Sequence, residues 1–156
     1  MEQLHTSFKN KLFRLFHSLK GVNREFEIVS DEVENVNLKS ALNSLSMESC
    51  HYVDELYAQL LTHGLGEEIK SAYQADPSVP AEALATADEE TGNELSRLCL
   101  QSEEQITNAY LDIFSESFPF PCLREMMQYQ MNSLKCAFMK IKLVLSSRNE
   151  YVPGLE

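Results

Sequence analysis

The chain is poor in the residues that break helices and shape turns. Its 156 residues include only five Gly and five Pro, and Trp is absent. Most of the Pro residues fall between segments in which apolar residues recur at helical spacing. That distribution is typical of long helices joined by a few loops. The hydrophobic content of 44% is sufficient for one sizeable core, so the composition predicts a single all-helical domain over residues 1–156.

Cysteine is also scarce, and its spacing excludes two common kinds of site. The four Cys residues lack the paired CxxC spacing of a zinc or redox centre, so we interpret them as buried thiols. No apolar run approaches the roughly 20 residues needed to cross a bilayer, and no apolar signal segment follows the charged start of the chain. We therefore expect a soluble cytoplasmic protein in a reducing compartment, without membrane contact.

Basic residues are outnumbered, since 13 Lys and Arg face 24 Asp and Glu, for a net charge of -11. The charges are unevenly placed. Residues 1–29 and residues 118–156 each carry two more basic than acidic residues, and the segment between them carries an excess of 15 acidic residues. This balance lacks the basic stripe of a nucleic-acid-binding protein. It predicts solubility, and attraction between basic outer helices and acidic inner ones.

Four segments repeat apolar residues at alternating steps of three and four, which is the pattern of a helix with one buried face. The spacing predicts helices over residues 6–34, 38–63, 86–116 and 121–148, with a connection over residues 64–85. The clearest of the four apolar series consists of Phe8, Leu12, Leu15, Leu19, Val22, Phe26, Val29 and Val33.

Local signals refine the ends of these helices and their arrangement. Thr6 or Ser7 is a candidate N-cap of the first helix, and Thr86 or Asp88 of the third, while Gly64 suits a left-handed residue after the second. Proline residues interrupt the connection over residues 64–85, which is long enough to return along the whole bundle. We therefore predict that the second and third helices are parallel. The predicted fold is a ferritin-like four-helix bundle, with two antiparallel helical hairpins joined by a crossover connection.

The most chemically suggestive pair is Glu48 and His51. They lie three residues apart, so both side chains project from one helix face and can reach the same metal ion. Di-metal carboxylate bundles use such a unit on two helices and take a lone Glu from each of the other two. Glu27 on the first helix and Glu103 on the third are candidates for that role.

The last predicted helix does not complete this ligand set. Between Glu125 and Glu150 it contains no Asp, Glu or His, and its inner positions are occupied by Gln130, Asn132, Leu134 and Phe138. Two cations in a dry core without neutralising carboxylates are costly. We therefore predict that no metal is bound and that Glu48 and His51 form a polar pair near the surface. The alternative is a metal-storage or oxidoreductase protein with a degenerate iron or manganese site formed by Glu27, Glu48, His51 and Glu103.

No other set of residues has complete catalytic logic. His5, His17 and His63 are scattered, no Ser or Cys has the local signature of a nucleophile, and no Gly-rich loop follows a predicted strand. We assign no catalytic or cofactor-binding residue, and an enzyme is the less favoured function.

Residues 99–110 read CLQSEEQITNAY and resemble the third helix of a bacterial family of unknown function within the ferritin-like superfamily. Residues 32–42 look like the junction between that family's first two helices. Leu123-Arg124, Gln130, Ala137 and Ile141 are similar to its Pro-led final helix. The resemblance covers most of residues 22–145 and implies a ferritin-like fold. It supplies no mechanism, because the Ala-His pair that the family places in its last helix is Ala137-Phe138 here.

Two of the predicted helices have wider apolar arcs than a single core contact requires. Phe13 and Phe16 flank the apolar face of the first helix, and Met126, Phe138 and Leu145 flank that of the last. Surplus apolar surface favours a homodimer or another protein partner, with the first helix as the better candidate. Its basic residues Lys9, Lys11 and Arg14 would then surround the contact and meet the acidic middle of another chain.

Overall fold

The computed structural model describes residues 4–76 and 91–150, and within them the only regular elements are five helices. The helices are α1 (Thr6–Glu32), α2 (Val36–Thr62), α3 (Gly66–Gln74), α4 (Thr91–Phe114) and α5 (Pro121–Glu150). The prediction of an all-helical chain is confirmed for these residues. The predicted ends of the four long helices agree with the observed ones to within two residues wherever they can be compared. The predicted start of the third helix, with Thr86 and Asp88, lies outside the described residues.

The turn after α2 has the hydrogen bonding of a Schellman motif. Gly64 has a φ of 75°, in the left-handed region. The N–H of Gly64 donates to the carbonyl of Leu61 at 3.0 Å, and the N–H of Leu65 donates to that of Leu60 at 2.8 Å. A residue without Cβ adopts this conformation at little cost, so the prediction of Gly64 as a left-handed residue at the end of α2 is confirmed.

The start of α1 differs from the prediction. The helix begins at Thr6, but its N-cap is His5, which makes no side-chain capping bond. The N–H of Leu4 instead donates to both carboxylate oxygens of Glu68 at 3.2 Å. An acid from α3 thus lies at the positive end of α1, where the helix dipole favours it.

The helix α3 was not predicted, because residues 64–85 were interpreted as a connection without helix. Its nine residues are fewer than the sequence pattern needs to reveal a period. Leu65 and Ile69 are nevertheless buried, and α3 contacts both α1 and α2. The first part of the connection is therefore part of the packed core.

Lys20 of α1 holds the C-terminus of α3. Its ammonium group donates to the carbonyls of Ala72 at 2.8 Å and Ala75 at 2.5 Å, and also to that of Tyr73. The last carbonyls of a helix have no partner within the helix and carry its negative dipole end, so a lysine is well suited to them.

The four long helices contact one another in a ring. The helix α1 packs against α2 and α4, and α5 packs against the same two helices. Between α1 and α2, the side chain of Asn23 donates to the carbonyl of Ser46 at 2.9 Å, and Ser30 Oγ donates to that of Lys39 at 3.4 Å. Residue numbers thus rise along α1 as they fall along α2.

Ion pairs connect basic residues of α1 and α5 to acidic residues of α4 and of the turn that follows it, as the charge distribution predicted. In the two pairs made by α1, the partner number falls as the residue number in α1 rises. The pairs are Lys11 with Glu116 at 2.6 Å, Arg14 with Asp112 at 3.2 Å and Lys142 with Glu103 at 2.5 Å.

Candidate functional site

The four candidate metal ligands do not come together. Glu27 is exposed on α1, and the side chain of His51 is 68% exposed on α2. Glu103 is paired with Lys142, and Glu48 accepts hydrogen bonds from neutral hydroxyl groups. Over residues 4–76 and 91–150, no three His, Cys, Asp or Glu side chains are grouped closely enough to hold a metal ion.

Glu48 instead belongs to a contact between α2 and α5. Its Oε2 accepts a hydrogen bond from the hydroxyl of Tyr52 at 2.7 Å and one from Ser133 Oγ at 2.5 Å. Burial raises the pKa of Tyr52, and the carboxylate of Glu48 raises it further. Tyr52 therefore keeps its proton at neutral pH and remains a hydrogen-bond donor.

Gln130 occupies an inner position of α5 at which a di-metal site would need a metal ligand. Its hydrogen bonds connect α5 to α2 and α4. Its side chain is fully buried. Its Oε1 accepts from the hydroxyl of Tyr110 on α4 at 2.9 Å, and its Nε2 donates to Glu55 Oε1 on α2 at 2.8 Å. Burial raises the pKa of Tyr110, so this hydroxyl is also a permanent donor. Together with Glu48, Tyr52 and Ser133, these residues form what we call the polar layer.

Most of the polar layer was not predicted from the sequence. Glu48 and Gln130 were considered as site residues, whereas Tyr52, Glu55, Tyr110 and Ser133 were not. A signal was present, since residues 48, 52 and 55 follow the helical spacing of four and three and so share one face of α2. From the sequence, Glu48 was paired with His51 instead. In the structure the side chain of His51 is exposed, and its Nε2 lies 3.9 Å from Glu55 Oε2.

The interpretation of the cysteines as buried thiols is correct only for Cys99. Cys50, Cys122 and Cys136 are exposed, and all four are free. Burial raises the pKa of Cys99 to about 12. Burial also raises the pKa of Cys50, with a contribution from Asp54. Both groups are thiols at neutral pH rather than reactive thiolates.

The predicted apolar surface on α1 and α5 is mostly core. Phe16, Phe138 and Leu145 are buried, while Phe13 and Met126 are partly buried against the core. The reason is that α1 contacts α2, α3 and α4, so it needs a wide apolar arc. Two of the three basic residues expected to face another chain are paired within their own chain, Lys11 with Glu116 just after α4 and Arg14 with Asp112 on α4.

The most exposed large apolar side chains lie instead on α2 and α5, although Leu100 and Leu111 are also exposed on α4. Val36 is 78% exposed and Met47 64% on α2, and Leu143 is 62% exposed on α5. The α2 and α5 helices border a groove of about 720 Å³, lined among others by Ser40 and Lys140. Of the exposed residues on these two helices, Asn37, Ser40, Lys140 and Leu143 line the groove. We define the α2–α5 face as these four together with six further exposed residues, which are Val36, Ser44, Met47, Tyr129, Asn132 and Cys136.

The α2–α5 face is almost without charge. Its five members on α2 are all uncharged, and on α5 only Lys140 carries a charge. Depletion of charge with exposed Met, Tyr and Leu is typical of the centre of a protein interface.

No family model, curated protein or solved structure matches the chain. In the part of the chain that the structure describes, none of the helices has the length and apolar character needed to span a membrane.

Proposed function

We propose that the chain is a ferritin-like helical bundle that acts by protein association, without an intact di-metal centre, and that the α2–α5 face is its binding surface. The observation that carries the proposal is the row of uncharged, exposed residues on α2, which includes Val36 and Met47. The free energy falls when a partner covers apolar side chains that are exposed to water.

The ferritin-like topology is supported by the order of the side-chain pairs. Partner numbers fall along α2 and α4 as they rise along α1. The same inverse order relates α4 to α5, through Glu103 with Lys142 and Tyr110 with Gln130. Two antiparallel hairpins joined by a crossover connection account for this order.

The absence of a di-metal centre is supported by the chemistry of the polar layer. Gln130 contributes a neutral amide, and Tyr52, Ser133 and Tyr110 contribute hydroxyl donors. The hydroxyls of Tyr52 and Ser133 and the amide of Gln130 satisfy carboxylate oxygens of Glu48 and Glu55 that would otherwise bind cations, and Tyr110 satisfies the amide oxygen of Gln130.

Elemental analysis of the purified protein tests this part of the proposal. We expect no stoichiometric iron, manganese or zinc. About two metal ions per chain, lost in Glu48→Ala or His51→Ala variants that remain folded, would support the degenerate site of Glu27, Glu48, His51 and Glu103 instead.

We propose a second copy of the chain as the partner. The ten residues of the α2–α5 face span about 20 Å along each helix and about 20 Å across the two helices. The resulting area of about 400 Å² per copy is that of a weak, reversible interface. The four free cysteines suit a reducing compartment such as the cytoplasm.

Sedimentation over a range of concentrations tests the association. We expect a monomer–dimer equilibrium that Met47→Lys weakens by more than about tenfold, because the variant buries an unpaired charge. Leu111→Lys is the matched control, since Leu111 is 49% exposed on α4, away from the α2–α5 face. A wild-type chain that remains monomeric at every concentration, or a dimer weakened equally by both variants, would overturn the proposal.

A further inference from the structure

A cavity of about 540 Å³ lies between α1, α2 and the end of α3. Lys20 and Asn23 line it on α1, and Cys50 and Val53 line it on α2. Its third side is formed by residues 73–76, which are the last two residues of α3 and the two that follow them. The volume is in the range of small-molecule sites. The end of α3 therefore borders a space large enough for a ligand.

The start of α3 is anchored in the core. Leu65 and Ile69 are fully buried. A Cβ added at Gly66 would overlap the side chain of Leu61, so the first turn of α3 packs directly against the end of α2. Movement of this turn would disturb closely packed side chains.

The end of α3 is held mainly by polar contacts. Ala72 and Tyr73 are only partly buried, and Ala75 is exposed. The hydroxyl of Tyr73 donates to Asp54 Oδ1 on α2 at 2.8 Å, and the ring of Tyr73 stacks on that of Tyr57 at 3.9 Å. Release of the last turn of α3 therefore exposes less apolar surface than release of its first turn.

Lys20 makes the largest set of these polar contacts. Its ammonium group donates to the carbonyls of Ala72, Tyr73 and Ala75, which uses all three of its N–H groups. Hydrogen bonds from a charged donor are stronger than those between neutral groups. Lys20 is thus positioned to determine whether the last turn of α3 stays in place.

We infer that residues 72–75 form a lid on the cavity between α1 and α2, and that Lys20 holds this lid closed. When Lys20 releases the three carbonyls, the lid moves away while the first turn of α3 stays anchored, and the cavity becomes an open groove. Local opening of this kind costs less free energy than global unfolding, so the four long helices stay packed. The inference is independent of the proposed function, since these residues are not part of the α2–α5 face.

Amide hydrogen exchange measured by NMR tests the lid. The N–H of Ala75 donates to the carbonyl of Ser71 at 3.0 Å, so we expect it to be protected in the wild type. Lys20→Met should increase its exchange rate by about tenfold, because the variant keeps the apolar part of the side chain but loses the charged donor. The N–H of Leu56, which is fully buried on α2, should exchange at the same rate in both proteins.

Lys70→Met is the matched control. Lys70 is exposed on α3 itself, and the described residues place no carboxylate within 4.0 Å of its ammonium group, so both rates should stay unchanged. Tyr73→Phe is a second lid variant, which keeps the ring but loses the hydrogen bond to Asp54 and should speed exchange at Ala75 by about 2- to 10-fold.

Three results overturn the inference. An unprotected Ala75 N–H in the wild type shows that the end of α3 is not held. Equal rates at Ala75 in the Lys20→Met and Lys70→Met variants show that Lys20 does not hold it. Equal acceleration at Ala75 and Leu56 in the Lys20→Met variant shows that Lys20 stabilises the whole bundle rather than the lid.

Discussion

Ser49 and Ser46 have the same side chain and similar burial, but they differ in their hydrogen bonding. Both are buried on α2. Ser46 Oγ donates to the carbonyl of Asn23 at 2.7 Å and accepts from its side-chain amide at 3.0 Å. Among the described residues, Ser49 Oγ has no hydrogen-bond partner. A buried hydroxyl without a partner costs free energy, so the two serines affect stability with opposite signs.

We expect Ser49→Ala to raise the free energy of unfolding by about 1 kcal/mol and Ser46→Ala to lower it by a similar amount. Both substitutions make the same change in helix propensity, so the difference between them isolates the hydrogen bonding. Urea unfolding measures the free energy of unfolding of each variant. Equal destabilisation by the two variants would contradict the assignment.

Tyr110 and Gln130 form the most deeply buried contact of the polar layer. Removal of one partner leaves the other unsatisfied, whereas removal of both avoids that cost. We expect Tyr110→Phe and Gln130→Leu each to destabilise the fold by about 1 to 3 kcal/mol, and the double variant to lose less than the sum of the two. A double-mutant cycle from urea unfolding checks this, and simple additivity would show that the contact is absent.

At the scale of single elements, the four long helices were predictable because each has enough turns for its apolar period to be visible. The short helix α3 was not, because its burial depends on partners distant in sequence, such as Lys20 on α1. The same limit explains the polar layer. A sequence reveals that Glu48, Tyr52 and Glu55 share a face of α2, but it does not reveal that Gln130 and Ser133 lie opposite them.

Substitution by alanine should have opposite effects on stability at Gly64, which follows α2, and at Gly21, which lies inside α1. Gly64 has a φ of 75°, which is unfavourable for any residue with a Cβ, so Gly64→Ala should cost about 1 to 2 kcal/mol of stability. Gly21 lies inside α1, and nothing lies within 4 Å of a Cβ added there, so Gly21→Ala should stabilise by about 0.5 to 1 kcal/mol. Thermal unfolding compares them, and a stabilising Gly64→Ala would refute the Schellman turn.

At the scale of the whole molecule, the charged residues are distributed unevenly. Basic residues of α1 and α5 are paired with acidic residues of α4 and of the turn after it, which attracts neighbouring helices to one another. The outside of α2 and α5 is left nearly without charge. The sequence predicted surplus apolar surface on the first or the last helix and favoured α1, because the three neighbours of α1 are not visible in a sequence. The proposal of association through the α2–α5 face is therefore based on the structure and not on the sequence.

The methyl resonances of the six methionines provide the most direct test of that proposal. Met47 lies on the α2–α5 face and is 64% exposed, whereas Met127 is fully buried in the core of the same chain. With methyl-labelled methionine, NMR spectra recorded during dilution report on both positions at once. We expect the Met47 signal to shift with concentration while the Met127 signal stays fixed. A Met47 signal that is constant from the most dilute to the most concentrated sample would contradict association through this face.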